Sequence, residues 1–145
     1  MELAEYKVAL DGWLDEHHHE LSPADGHHTL DDHMAHHATV KRLLYDAGWN
    51  RWGWPERVGG HGGSPLLRAY LGEALTTRGY VDPGPYSMTE VLAPSMIDFA
   101  PPELAAAMVP KLLRGDELWC QGFSEPSTGS NLGALSCKAV RTDTG

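Results

Sequence analysis

The sequence lacks several features that would place it in common classes of protein. Its only two cysteines, Cys120 and Cys137, do not form a CxxC pair. No apolar run approaches the roughly 20 residues that cross a bilayer. Residues 1–14 show no basic stretch followed by an apolar one, so no signal peptide is indicated. We therefore expect a reduced, cytoplasmic protein without membrane insertion, whose two thiols are small core residues rather than a disulfide.

Basic residues are scarce as well. The 145 residues include 11 Lys and Arg against 20 Asp and Glu, which gives a formal net charge of −9. Nucleic acid is therefore not expected as a partner, because phosphate binding needs clustered Lys and Arg. Hydrophobic residues make up 41% of the chain, which is enough for a packed core. The length corresponds to one domain, or to one domain and the start of another.

Fingerprints of several kinds of enzyme site are absent too. The chain has no GxGxxG or P-loop motif, no HExxH and no GxSxG. The glycine-rich run 59–63 is interpreted as a turn rather than a phosphate cradle, because no strand precedes it. His33 and His37 are four residues apart and could present a pair to zinc. We interpret the histidine-rich stretch between His17 and His37 as a solvated polar face and predict no metal.

Apolar spacing predicts five helices in the first 115 residues. They run from Glu2 to His18, from a cap at Asp31 or Asp32 to Gly48, from Ser64-Pro65 to near Gly79, from after Pro85 to Phe99, and around Leu104 to Met108, where Pro110 breaks or restarts the helix. Loops are predicted at Ser22-Pro23 and Asp25-Gly26. A longer ordered loop, residues 49–63, is expected to be pinned in place by the packing of its tryptophans, which are Trp49, Trp52 and Trp54.

The pattern changes at Glu117. Leu118 to Phe123 is typical of a short strand, and Leu135 to Val140 of a second one. Two strands are rarely stable alone. We therefore predict a mainly α fold with two parts: residues 1–115 form a helical domain, and residues 116–145 are the truncated beginning of a β domain.

Residues 119–132, with the sequence WCQGFSEPSTGSNL, and residues 135–140, LSCKAV, resemble the signature that opens the middle β domain of acyl-CoA dehydrogenases. In that family a strand ends in a hydroxyl residue, followed by Glu-Pro, a Gly/Ser-rich turn and a strand ending in Lys-Ala. Two upstream segments, 47–60 and 109–117, are similar to the family's helix exits. The resemblance implies the N-terminal helical bundle of an acyl-CoA dehydrogenase followed by the first strands of a β-barrel domain.

The same resemblance implies an FAD-dependent enzyme that oxidises an acyl-CoA to the 2,3-enoyl-CoA. Reduction of a flavin places negative charge toward its N1–C2 carbonyl end, where fixed donors stabilise it. The resemblance places Gln121, Phe123 and Ser124 beside the FAD. It places Gly129 and Ser130 where the chain closes on the cofactor and on the acyl-CoA. One further wall of the substrate pocket would come from the fourth helix, with the candidates Tyr86, Met88, Val91 and Leu92.

The chain departs from the family pattern at three positions. Ser124 replaces the usual threonine, Ser127 a glycine and Asn131 an aspartate. No residue matches the family's catalytic carboxylate, and we assign that role to neither Glu90 nor Glu125. The family's second flavin-facing strand is also missing, so we expect no catalytic residue in this chain and an inactive isolated chain.

Three interpretations remain open. The chain is the N-terminal portion of an acyl-CoA dehydrogenase, in a family whose members are commonly homo- or hetero-oligomers. Alternatively, it is a non-catalytic partner module that completes a shared flavin site with another dehydrogenase-like chain. The third interpretation is a degenerate reading frame without function.

Overall fold

The computed structural model of the chain describes residues 1–24 and 29–143. Within these residues it is mainly helical, which confirms the predicted fold class at that level. The α-helices are α1 (Leu3–Glu16), α2 (His18–Leu21), α3 (Leu30–Asp46), α4 (Pro65–Thr77), α5 (Pro83–Phe99) and α6 (Pro102–Arg114). Short 3-10 helices span Trp49–Arg51, Glu56–Val58 and Leu132–Ala134. The loop predicted at Asp25-Gly26 lies outside the described residues.

Local capping chemistry sets where two of these helices begin. Ser64 accepts a hydrogen bond from the Leu66 amide, and Pro65 occupies the first turn of α4, as predicted. The predicted cap of α3 is wrong by two to three residues. Thr29 is the N-cap, and its hydroxyl and the Asp32 carboxylate each bond the other residue's amide in a capping box. Asp32 therefore lies inside the first turn of the helix.

Two clusters of buried side chains hold the helices together. The first joins α1, α3 and α4 to the residues before α5, and its members include Tyr6, Leu10, Leu14, Val40, Leu44, Leu67, Leu71, Leu75 and Tyr80. The second joins α5 and α6 to the tryptophan-rich loop, through Trp54, Val58, Ala93, Ala105, Val109, Leu112 and Leu113. Helix α3 packs against both α5 and α6, so it connects the two clusters.

The loop between α3 and α4 is ordered, as predicted, and backbone hydrogen bonds within it contribute to that order. The Gly53 amide donates to the Gly62 carbonyl at 2.7 Å, and the Gly62 amide donates to the Trp54 carbonyl at 2.9 Å. Trp54 is 2% exposed, and the Arg68 guanidinium lies 3.8 Å from its ring centre. The prediction that packing of the tryptophans holds this loop in place is confirmed.

Prolines have less effect on the helices than predicted. Helix α5 begins at Pro83 rather than after Pro85, because proline suits a first helical turn, where no amide bond is needed. Pro110 does not interrupt α6, which continues to Arg114. The residues around it, Val109 and Leu112, are buried in the second cluster. Their packing outweighs the one backbone bond that Pro110 cannot make.

The two predicted strands are absent from the part of the chain that the structure describes. Its only β pairing is an isolated bridge between Glu125 and Thr128. Residues 118–123 and 135–140 pair with no strand, and residues 1–24 and 29–143 contain no other strand that could pair with them. Cys120 and Cys137 form no disulfide, but both are exposed, so their predicted place in a core is wrong. They belong to this unpaired segment, which has no core of its own.

No helix among residues 1–24 and 29–143 is both long enough and apolar enough to cross a membrane.

Candidate functional site

The segment that carries the motif leaves the helical bundle at a fixed point. Gly115 ends α6 with a φ of +82°, and a Cβ there would lie 2.6 Å from the Ala38 carbonyl oxygen of α3. Glycine is therefore required at this contact between helices. Two residues on, the Glu117 carboxylate pairs with Lys111 and accepts from the Trp119 indole, each at 3.1 Å. The Trp119 ring packs against the second cluster and holds the start of the segment.

The five predicted cofactor residues all lie in this segment and are all exposed: Gln121, Phe123, Ser124, Gly129 and Ser130. The structure brings two of them together. A Cβ at Gly129 would lie 3.9 Å from the Ser124 hydroxyl oxygen. Within the described residues, no hydrogen bond joins Gln121 or Ser130 to this pair. The segment thus presents neutral hydrogen-bonding groups to its surroundings.

Glu125 closes a loop that contains Gly129 and Ser130 and that directly follows Ser124. Its carboxylate accepts hydrogen bonds from the Ser136 amide at 3.0 Å, from the Ser136 hydroxyl at 2.7 Å and from the Cys137 amide at 2.6 Å. Hydrogen bonds from Ser136 and Cys137 hold the pKa of Glu125 below its usual range. Sequence reasoning excluded Glu125 as a catalytic base but missed this contact, because eleven residues separate it from Ser136.

The residues of the predicted substrate wall do not share one face of α5. Tyr86 is turned into the bundle, where a Cβ at Gly72 would lie 2.9 Å from its ring, and it meets His37 edge to face. Val91 is 43% exposed on a different face of α5. Five residues on a helix correspond to a rotation of about 140°, so Tyr86 and Val91 cannot line one wall. The aromatic ring of Tyr86 fills the space beside a glycine of α4. The spacing of residues in α5 alone does not reveal this contact.

An apolar groove lies further along α5. It has a volume of about 360 Å³ and is lined by Leu92, Ser95, Met96, Phe99, Ala100 and Trp119. Of the predicted wall residues, only Leu92 lines it. The spacing of Leu92, Met96 and Phe99 in the sequence indicates a helix, but it does not show that these side chains border a groove.

A buried polar cluster, which sequence reasoning did not identify, joins α3, α5 and α6. The Lys41 ammonium group donates to the Thr89 hydroxyl at 2.6 Å and to the Leu112 carbonyl at 3.0 Å. Asn50 donates to the backbone carbonyls of Lys41 and Leu113. Burial lowers the pKa of Lys41 to about 8, while the nearby Glu90 carboxylate opposes that shift. The only sequence signal was a charged residue within the apolar stripe of α3.

Glu90 supplies the negative charge of this cluster. Its carboxylate lies 3.4 Å from Arg68 Nε, although Arg68 Nε makes no properly directed hydrogen bond. Burial raises the pKa of Glu90, and Arg68 and Lys41 partly offset the rise. The carboxylate therefore balances two cations inside the bundle, which is a structural role.

Changing Glu90→Gln is expected to lower the free energy of unfolding by about 2 kcal/mol, because Lys41 and Arg68 then lose their shared counter-charge. The expected loss of stability is smaller than for a fully buried ion pair, because the Glu90 side chain is 32% exposed. Urea unfolding followed by circular dichroism measures the change. Glu16→Gln, an exposed change of the same kind at the end of α1, should shift stability by less than about 0.5 kcal/mol. Equal effects of the two changes would contradict the assigned role.

The histidines do not form one solvated face. His33 pairs with Asp82 at 3.0 Å, and His36 bonds the Tyr80 backbone carbonyl at 2.9 Å. His37 is only 3% exposed, and its Nε2 atom has no hydrogen-bond partner. These side chains line a cavity of about 70 Å³ between α3 and the residues before α5. Among the residues that the structure describes, no group of three or more His, Cys, Asp or Glu side chains could hold a metal ion.

Known proteins resemble this chain in sequence. Acyl-CoA dehydrogenase IpdE1 of Mycolicibacterium smegmatis is 38% identical over 96 residues, which are 66% of this chain and 24% of that protein. Acyl-CoA dehydrogenase FadE34 of Mycobacterium tuberculosis is 49% identical over 53 residues, or 37% of this chain and 8% of the relative. The chain belongs to the acyl-CoA dehydrogenase family. The predicted resemblance is therefore confirmed.

A third acyl-CoA dehydrogenase relative has a substrate in its name. The (2S)-methylsuccinyl-CoA dehydrogenase of Cereibacter sphaeroides is 36% identical over 88 residues, or 60% of this chain and 16% of that protein. The chain spans about a quarter or less of the length of the curated relatives it matches. No family model and no solved structure matches it.

Proposed function

We propose that this chain supplies the helical domain, residues 1–115, and the flavin-facing opening of the middle β domain, residues 116–145, of an FAD-dependent acyl-CoA dehydrogenase. The whole enzyme would oxidise an acyl-CoA to the 2,3-enoyl-CoA, with the proton-abstracting carboxylate coming from outside these residues. The observation that carries the proposal is the exposed, Glu125-closed loop with Ser124 next to Gly129, in a chain of this family.

The residues of the loop fit an FAD edge. Ser124 and Ser130 have hydroxyl groups, Gln121 has an amide, and none of the three side chains is ionised at neutral pH. Gly129 has no Cβ to cover its own amide beside Ser124. When bound, FAD would accept the hydride removed from the acyl-CoA. Ser124 and the neighbouring backbone amides would hold the flavin edge by donating hydrogen bonds, and Ser130 would contact the acyl-CoA.

A specific observation also supports the partner module as a second candidate. The segment exposes large apolar side chains without covering them: Phe123 is 76% exposed, Leu132 68% and Val140 77%. Several large apolar side chains exposed within one short segment are a feature of surfaces that contact another chain. A second copy or another dehydrogenase-like subunit would cover these side chains and complete the flavin site.

Binding of FAD by the purified chain tests the first candidate. We expect FAD fluorescence to be quenched on titration, and Ser124→Ala to weaken the affinity about tenfold, since one net hydrogen bond to a cofactor is worth roughly 1.5 kcal/mol. Ser127→Ala, an exposed serine outside the proposed flavin contacts, is the matched control. The proposal would be contradicted if both changes weakened the FAD affinity equally. It would also be contradicted if the chain bound no FAD at a 100-fold molar excess of FAD over the chain. Binding that requires an added dehydrogenase-like subunit would favour the partner module.

A further inference from the structure

Hydrogen bonds of side chains and backbone hold together the two ends of the loop from Glu125 to Cys137. At one end, the Glu125 and Thr128 backbones exchange hydrogen bonds of 2.9 and 3.0 Å. At the other end, Ser136 and Cys137 donate to the Glu125 carboxylate, as described above. One carboxylate thus joins the beginning of the loop to its end.

One residue of the loop, Thr128, is buried by its neighbours within the loop. Thr128 is 7% exposed, although almost everything around it in sequence is exposed, and its hydroxyl donates to the Ala134 carbonyl at 3.4 Å. The 3-10 turn Leu132–Ala134 is fixed by the Ala134 amide, which donates to the Asn131 carbonyl. Gly129 and Ser130 lie on the outside of this closed unit.

A carboxylate is suited to this closure. It accepts from two amides and one hydroxyl at once, and such charge-assisted bonds are about twice as strong as neutral ones. Among the ion pairs of residues 1–24 and 29–143, none involves Glu125. Its charge is therefore used by the loop itself. A glutamine in its place could accept through one oxygen only and would turn an N–H group toward the Ser136 and Cys137 amides.

We propose that Glu125 is a positioning residue: by closing the 125–137 loop it holds Ser124 and Gly129 in the arrangement that receives the flavin edge. This inference rests on the proposed function. Glu125 does not itself contact the cofactor. It acts through the loop, since Ser124 directly precedes Glu125 and Gly129 directly follows the buried Thr128.

The first experiment measures loop closure in the chain without FAD. Amide hydrogen exchange at Ser136 and Cys137 should be at least tenfold faster in Glu125→Gln than in the unchanged chain. Glu125→Asp keeps the charge and should restore much of the protection. Asp143→Asn, which removes one charge from the same exposed segment, is the matched control and should change nothing. Unchanged exchange in Glu125→Gln would overturn the inference.

The second experiment measures the consequence for FAD affinity in the same variants. We expect Glu125→Gln to weaken FAD binding about tenfold, Glu125→Asp to regain most of it, and Asp143→Asn to match the unchanged chain. Faster exchange with unchanged FAD affinity would overturn the positioning role. If the unchanged chain binds no FAD, the proposed function fails and this inference fails with it, while the exchange data still report whether Glu125 closes the loop.

Discussion

Replacing Gly60 with alanine is expected to lower the free energy of unfolding by about 3 kcal/mol, a large change for one methyl group. The new Cβ would overlap the Trp54 carbonyl group and would lie 2.7 Å from Trp54 Cβ. Trp54 is almost fully buried in the second cluster and cannot move aside. Gly60 cannot retreat either, because its amide bonds the Pro55 carbonyl at 3.1 Å. Urea unfolding followed by tryptophan fluorescence and circular dichroism measures the loss.

The matched control is Gly12→Ala in α1. A Cβ at Gly12 meets nothing within 4 Å, and the residue has helical backbone angles. Alanine should therefore stabilise the chain by about 0.5–1 kcal/mol, because it loses less backbone freedom than glycine on folding. If both glycines tolerate alanine equally, the close approach of Gly60 to Trp54 is not a feature of the folded protein.

The helices were predictable because their signals are local. The apolar spacing of Tyr6, Leu10 and Leu14 shows which face of α1 is buried, and Ser64-Pro65 fixes the start of α4. The errors arose where tertiary packing overrides a local preference. Pro110 carries a real penalty in a helix interior, but Leu112 and Leu113 are buried against the bundle, so α6 continues past it. The spacing of residues in the sequence does not show whether this packing outweighs the proline penalty.

The assignment of the candidate site to particular residues stays a prediction, and its contacts were not predictable from the sequence. The motif indicated Ser124 and Gly129, and the structure places these two together. Strands could not be confirmed, because a strand is stabilised by its partner and a strand pattern does not reveal whether one is present. The roles of Glu125 and Lys41 depend on partners 11 to 71 residues away. Such contacts exist only once the helices and the loop have closed.

The free energy of unfolding is also expected to fall by about 3 kcal/mol between pH 6.5 and pH 4 because of one residue, His37. Burial lowers the pKa of His37 to about 4, Lys41 and His36 push it in the same direction, and Asp82 opposes them. In the unfolded chain the pKa of a histidine is about 6.5. The unfolded state therefore takes up a proton first as the pH falls. Stability from neutral His37 is complete above pH 6.5 and is lost as the pH approaches 4.

His37→Phe isolates this contribution, because phenylalanine keeps an aromatic ring against Tyr86 and cannot take up a proton. Urea unfolding of both chains at a series of pH values between 7.5 and 4 gives the measurement. Other groups titrate equally in the two chains, so they cancel in the difference between the two free energies of unfolding. That difference should move by about 3 kcal/mol in favour of the variant as the pH falls. A difference that stays constant over this range would mean that His37 is protonated as easily in the folded chain as in the unfolded one, and that the cavity beside it admits enough water to solvate the charge.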